Sequence, residues 1–182
     1  MILYPASSSA FPLRRCRCLI LGIVLGLLDG CASQPEAPPR PARSPINLAV
    51  VRHALSMKGI PYRWGEETPQ RGFDCSGLVQ YVYGKYGVRL PRTAYQMAMA
   101  LPEPDERQRQ PGDLLFFNTT GQPYSHVGIY IGHDRMVHAS SARGEVVVGP
   151  LDTPYWNSHF LGLRRPIDSG SDEPLTVGHW VP

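Results

Sequence analysis

The stretch Gly72-Phe73-Asp74-Cys75-Ser76-Gly77-Leu78-Val79-Gln80-Tyr81-Val82 decides how this chain of 182 residues is read. A helix begins near Asp74 or Cys75 and runs to about Tyr83, with Leu78, Val79 and Val82 as its buried stripe. Gly84 and Gly87 punctuate its end. Cys75 therefore stands at a helix start, where unpaired N–H groups and the helix dipole favour an anion. A thiol in that position has its pKa lowered, and the thiolate is the nucleophile. The tetrapeptide Asp74 to Gly77 fits a small buried cysteine equally well. Its neighbours must decide between the two.

Upstream, Ser44-Pro45 offers a cap and a first-turn proline, and Leu48, Val51 and Leu55 recur at helical spacing. The spacing predicts a helix over 46–58, closed by Gly59. Residues 61–65 read as an aromatic loop or short strand, and 66–73 as loop. Downstream, Thr93-Ala94-Tyr95-Gln96 has the form of a capping box, so a short helix covers 93–100. A polar loop follows over 102–110. The remainder alternates like β structure, with strands over 114–117, 126–131, 135–139, 145–148 and 160–164. The turn Gly132-His133-Asp134 makes the second and third of these a hairpin. Helices first and strands second indicate α+β: an N-terminal helical lobe packed on an antiparallel sheet of about five strands. The folded domain spans 46–166, and 167–182 is a polar tail.

Composition agrees with one folded domain bearing tails. Hydrophobic residues make up 42% and charged residues 18%, with 18 Gly and 19 Pro. A coiled coil, a collagen-like repeat and a multi-pass membrane protein are excluded, and there is no internal repeat. The one long apolar run, 18–28, is too short to cross a bilayer. Arg14, Arg15 and Arg17 precede it, which is the pattern of an export signal. Leu28-Asp29-Gly30-Cys31 then resembles the lipobox of bacterial lipoproteins, with Asp29 where a small residue is usual. Residues 1–30 are thus expected to be a lipoprotein signal peptide. Residues 31–45 would be the lipidated Cys31 and a linker carrying five prolines. No Asp follows Cys31, which by the rule for such lipoproteins implies the outer membrane. Of Cys16, Cys18, Cys31 and Cys75, only Cys75 would remain a free thiol after export. The net charge of +3 falls to +1 beyond residue 30, and no basic run with interleaved aromatics follows. No nucleic-acid partner is expected.

Two histidines give the thiol a chemistry. His126 opens a strand in Ser125-His126-Val127-Gly128-Ile129-Tyr130, and His138 lies in the partner strand of the hairpin. His126 would act as general base to Cys75 and then as general acid to a leaving amine, with His138 orienting it. The hairpin register is not fixed by the sequence. Each histidine alone also fits an ordinary surface or core position, as does the aromatic segment Tyr62-Arg63-Trp64-Gly65.

Six blocks in fixed order carry a resemblance: 61–65, 72–82, 90–96, 110–117, 125–130 and 138–140. Together they resemble the NlpC-type (NlpC/P60) cell-wall cysteine peptidases. The resemblance implies a compact papain-like fold and a catalytic triad of Cys75, His126 and His138. It implies that Asp74 and Ser76 help bind the substrate's free amine or peptide backbone, and that Tyr62 beside the nucleophile helps hold the oxyanion. The implied substrates are peptidoglycan stem peptides, cut between D-glutamate and meso-diaminopimelate or at D-alanyl–diaminopimelate cross-links. No metal and no cofactor is expected. The lipobox, spacer and single domain resemble the Gram-negative murein endopeptidase lipoproteins. Those features imply a protein anchored by lipid at the periplasmic face of the outer membrane, and a monomer is expected. Two alternatives remain open on the sequence: a non-catalytic murein-binding lipoprotein, and an amidase acting on muramoyl–L-alanine.

Overall fold

The computed structural model describes residues 45–166 of the chain. The expected signal peptide, Cys31 with the linker as far as residue 44, and the tail from 167 lie outside the described residues. In chain order the elements are α1 (Pro45–Ser56), β1 (Glu67–Thr68), β2 (Gly72–Phe73), α2 (Cys75–Gly84) and α3 (Ala94–Ala100). They are followed by β3 (Leu114–Phe117), β4 (His126–Gly132), β5 (Arg135–Ser140), β6 (Glu145–Pro150), α4 (Pro154–His159) and β7 (Phe160–Arg164). The five longer strands form one antiparallel sheet in the order β6-β5-β4-β3-β7. The α+β architecture expected from the order of elements is the one observed.

β3 explains why both faces of the sheet are covered. Leu114, Leu115, Phe116 and Phe117 are all buried, so an apolar residue points each way along the strand. Leu114 and Phe116 join Val127, Ile129, Val137 and Ala139 in the core shared with the helices. Leu115 and Phe117 join Tyr130, Met136 and Leu163 in a second, smaller core, against which Trp156 of α4 packs. Sequence pattern does not predict a helix at α4. Its six residues carry no periodic stripe, and only the cap Thr153 and the following Pro154 mark its start.

The buried side of α1 also differs from the expected stripe. Val50, Val51 and Ala54 are inside, whereas Leu48 and Leu55 are 39% and 40% exposed. Helical spacing establishes the helix but leaves two adjacent stripes to choose between. The smaller side chains at 50 and 54 suit the close packing of α1 on α2.

The β4–β5 hairpin turns through His133 and Asp134, both at positive φ (52° and 48°), the conformation of a type I′ two-residue loop. Ile129 pairs with Val137 and Tyr130 with Met136, but Gly132 pairs with Arg135, so one extra residue sits in β4 near Ile131. That bulge decides the site. Continued from Ile129–Val137, the register sets Gly128 opposite His138, on the face that His126 shares. Without the extra residue His138 would face Ile129, and the pleat would turn it to the opposite side from His126. Gly128 is part of the same arrangement, since a side chain there would press on Met136 Sδ and on the Cβ of His138.

At the start of α2, Asp74 is the cap, and its Oδ1 accepts from the Gly77 N–H at 2.7 Å. Gly77 passes so close to the preceding loop that a methyl group would overlap the carbonyl oxygen of Glu66. Gly77→Ala is therefore expected to cost about 1–3 kcal/mol. Urea unfolding measures this, and an unchanged midpoint would contradict the packing described.

Candidate active site

A cleft of about 690 Å³ opens at the N-terminus of α2. Cys75, Asp74 and Arg92 line it, with Trp64, Tyr95 and Tyr124 as its aromatic walls. Trp64 is 86% exposed.

Asp74 organises the wall beside the thiol. Besides capping Gly77, its carboxylate accepts from the Gly65 N–H at 2.9 Å and from Arg92 at both oxygens, Nη1 at 3.0 Å and Nη2 at 2.6 Å. Ser76 Oγ accepts from Arg92 Nη1 at 2.9 Å and donates to Asp74 Oδ1 at 3.3 Å. Asp74 and Ser76 both line the cleft, and both spend their side-chain hydrogen bonds inside the protein. Arg92 carries this cluster and was not assigned a role from the sequence. The segment that holds it, 90–96, is one of the six ordered blocks, but a pairing across 18 residues has no local signal.

The Cys75 thiol points at the carbonyl oxygen of Ser125, 4.0 Å away, and receives the backbone N–H of Val127. It thus rests against the β4 backbone on both sides of His126. His126 Nε2 lies 2.9 Å from His138 Nδ1, with the two rings perpendicular. Tyr62 is within electrostatic reach of the thiol. Burial raises its phenol pKa first, and the charges of Cys75 and Asp74 raise it further. Among the described residues its hydroxyl has no hydrogen-bond partner. The structure therefore gathers Tyr62, Asp74, Cys75, Ser76, His126 and His138 into one region, and Cys31 lies outside the described residues.

The electrostatics differ from the expectation for a helix-start thiol. Burial pushes the Cys75 pKa up, Asp74 adds to the rise, and the backbone N–H groups only partly offset it. Burial also pushes His126 down to about 3, helped by the neighbouring His138, and His138 down to about 4. All three shifts favour the uncharged thiol and imidazoles, because removing water penalises the charged form of each. Helix-end stabilisation is confined to the first turn and is worth roughly 0.3–1 kcal/mol at exposed sites, which burial outweighs here.

Cys75 at a helix start thus lies against the strand that carries His126, and His126 is bonded to His138 on the same antiparallel sheet. The model of the NlpC/P60 family matches residues 59–165, and the chain belongs to that family. It is similar to the probable endopeptidase NlpC of Escherichia coli K12, 40% identical over 154 residues, covering 81% of this chain and 97% of that protein. Murein DD-endopeptidase MepH from the same organism is 41% identical over 120 residues, covering 64% of this chain and 44% of MepH. Two further curated relatives are spanned to only 35% and 29% of their length. A solved structure, a lipoprotein-like NLP/P60 protein from Staphylococcus aureus Mu50, superposes with a TM-score of 0.63 at 35% identity. That superposition covers 72% of this chain and 45% of the other.

Two outcomes are expected. Arg92→Gln leaves Asp74 short of two charged donors and should destabilise the domain by roughly 1–3 kcal/mol. Chemical unfolding measures it, and an unaltered stability would show that the pair contributes nothing. Because the thiol pKa is raised, the thiolate fraction is small at neutral pH and grows with pH. Alkylation of Cys75 by iodoacetamide should therefore rise about tenfold per pH unit between pH 6 and 8. A rate that is already level below pH 7 would mean a preformed thiolate–imidazolium pair.

Proposed function

We propose that the protein is a peptidoglycan endopeptidase that hydrolyses amide bonds in murein stem peptides or their cross-links by thiol catalysis. The bond is D-alanyl–diaminopimelate or D-glutamyl–diaminopimelate. The observation that carries the proposal is the thiol of Cys75 set against β4 at His126, with His126 bonded to His138. The names of the relatives, probable endopeptidase NlpC and murein DD-endopeptidase MepH, support the reaction, and that of MepH the substrate class.

The His–His bond leaves His126 Nδ1 free, and Nδ1 has no partner among the described residues. For His126 to accept the thiol proton at Nδ1, Nε2 must carry a hydrogen and donate it to His138 Nδ1. His138 then bears its own hydrogen on Nε2. His126 removes the Cys75 proton as sulfur attacks the scissile carbonyl. The N–H of Cys75 and the Tyr62 hydroxyl receive the developing oxyanion. Loss of one such donor typically costs about 2.7–4 kcal/mol in the transition state. The imidazolium returns its proton to the leaving amine, and water hydrolyses the thioester by the reverse path. Transfer from a neutral thiol to a neutral imidazole creates charge only as the reaction proceeds, which suits the pKa directions found for both groups.

The proposal includes attachment of lipid at Cys31, a location on the periplasmic face of the outer membrane, and action as a monomer. Its supports there are the basic-apolar leader, the lipobox-like segment and the Pro-rich spacer. Cys75→Ala should retain the fold and lose cleavage of purified muropeptides, with product masses from the wild type identifying the bond. Undiminished cleavage by that variant would end the proposal.

A further inference from the structure

We propose that Trp156 is a positioning residue for the imidazole pair, fixing the ring of His126 and keeping water off the bond between the two histidines. The idea rests on the thiol mechanism above. Among the described residues the His126 ring has one hydrogen bond, to His138. Among the described residues no carboxylate bonds to His138 in turn. Beside its Nε2 lies Gly149, where even a methyl carbon would come to 3.4 Å. The polar relay therefore stops at the second ring, and another contact must hold the first.

That contact is apolar. The Trp156 indole lies nearly parallel to the His126 ring, at 24° and 5.7 Å between centroids. It meets His138 edge-on, at 86° and 5.2 Å. Its other ring neighbours are Phe117, at 4.6 Å, the residue paired with His126 across β3 and β4, and Tyr155, at 5.0 Å. Rotation of the imidazole would break the stack and the His–His bond together. The indole itself is held by its helix. Thr153 Oγ1 accepts from the Trp156 N–H at 3.2 Å, and the Asn118 N–H donates to the His159 carbonyl at 2.8 Å, tying the end of α4 to the end of β3. A six-residue helix thus presses one side chain onto both rings. An apolar cover also strengthens the hydrogen bond beneath it.

The titratable group that contacts the His126 ring is His138 from β5, while the Cys75 thiol of α2 lies against the backbone on either side of His126. β3 presents Phe117 and α4 presents Trp156, while His159 of α4 stacks on Tyr155. Asp74 and Tyr62 act on the thiol. Removing the indole admits water to His126 and leaves these charges as they were, so the imidazole should titrate closer to its ordinary value.

The test is NMR titration of the His126 ring, together with muropeptide kinetics, for the wild type, Trp156→Phe and Trp156→Ala. The alanine variant should raise the His126 midpoint by about one pH unit or more. It should lower kcat on the order of tenfold, with KM nearly unchanged. Phenylalanine should restore most of both. If the alanine variant does not fold, Trp156→Leu takes its place, since leucine fills space without a flat face. An unmoved midpoint, or a loss carried by KM alone, would overturn the proposal. The titration needs no substrate. A protein that cuts no muropeptide refutes the thiol hydrolase reading, while the midpoint still decides the role of Trp156.

Discussion

The carboxylate of Asp74 is the constraint on which the site depends. It closes the open end of α2 at Gly77, holds the loop at Gly65 and takes both Nη atoms of Arg92. Charge-assisted hydrogen bonds of this kind are roughly twice as strong as neutral ones. Three separate segments of chain are thereby fixed around the residue next to the thiol. Cys75 has little freedom left, because its neighbours on both sides are locked into the same network. The aspartate's electrostatic effect on the thiol is unfavourable, since its charge raises the Cys75 pKa. Its contribution is geometric.

The imidazole side is fixed by different means. The β4–β5 turn and the extra residue near Ile131 set the register, and the register puts His126 and His138 on one face. Burial then keeps both rings neutral. An ion pair waiting in this site would have to be desolvated in full, and the cost of that often exceeds the Coulombic gain. In the proposed mechanism, a neutral pair that exchanges a proton only when a carbonyl arrives avoids holding that charge at rest.

Much of this was legible in the sequence because it is written locally. The capping box at Thr93 and Gln96 is present as read. The strand over Leu114–Phe117 and the hairpin turn at Gly132-His133-Asp134 follow from apolar runs and turn residues. The candidate residues Cys75, His126 and His138 stand out by type. What escaped is non-local or a matter of degree. Arg92 meets Asp74 only because the segment between α2 and α3 returns to the start of α2, and Trp156 belongs to a helix too short to show a period. The choice of Val50 and Ala54 over Leu48 and Leu55 depends on the neighbour helix, which helical spacing does not encode. The sign of the thiol shift depends on how much water the fold excludes, and helix position alone suggested the opposite.

The most direct test is to block the thiol progressively and follow hydrolysis. Aliquots treated with iodoacetamide would be assayed on dimeric muropeptides, and the fraction of Cys75 modified would be read by peptide mapping. Residual activity should fall in proportion to the unmodified fraction and reach zero when every Cys75 is carboxamidomethylated. Full modification with hydrolysis intact would contradict catalysis by this sulfur.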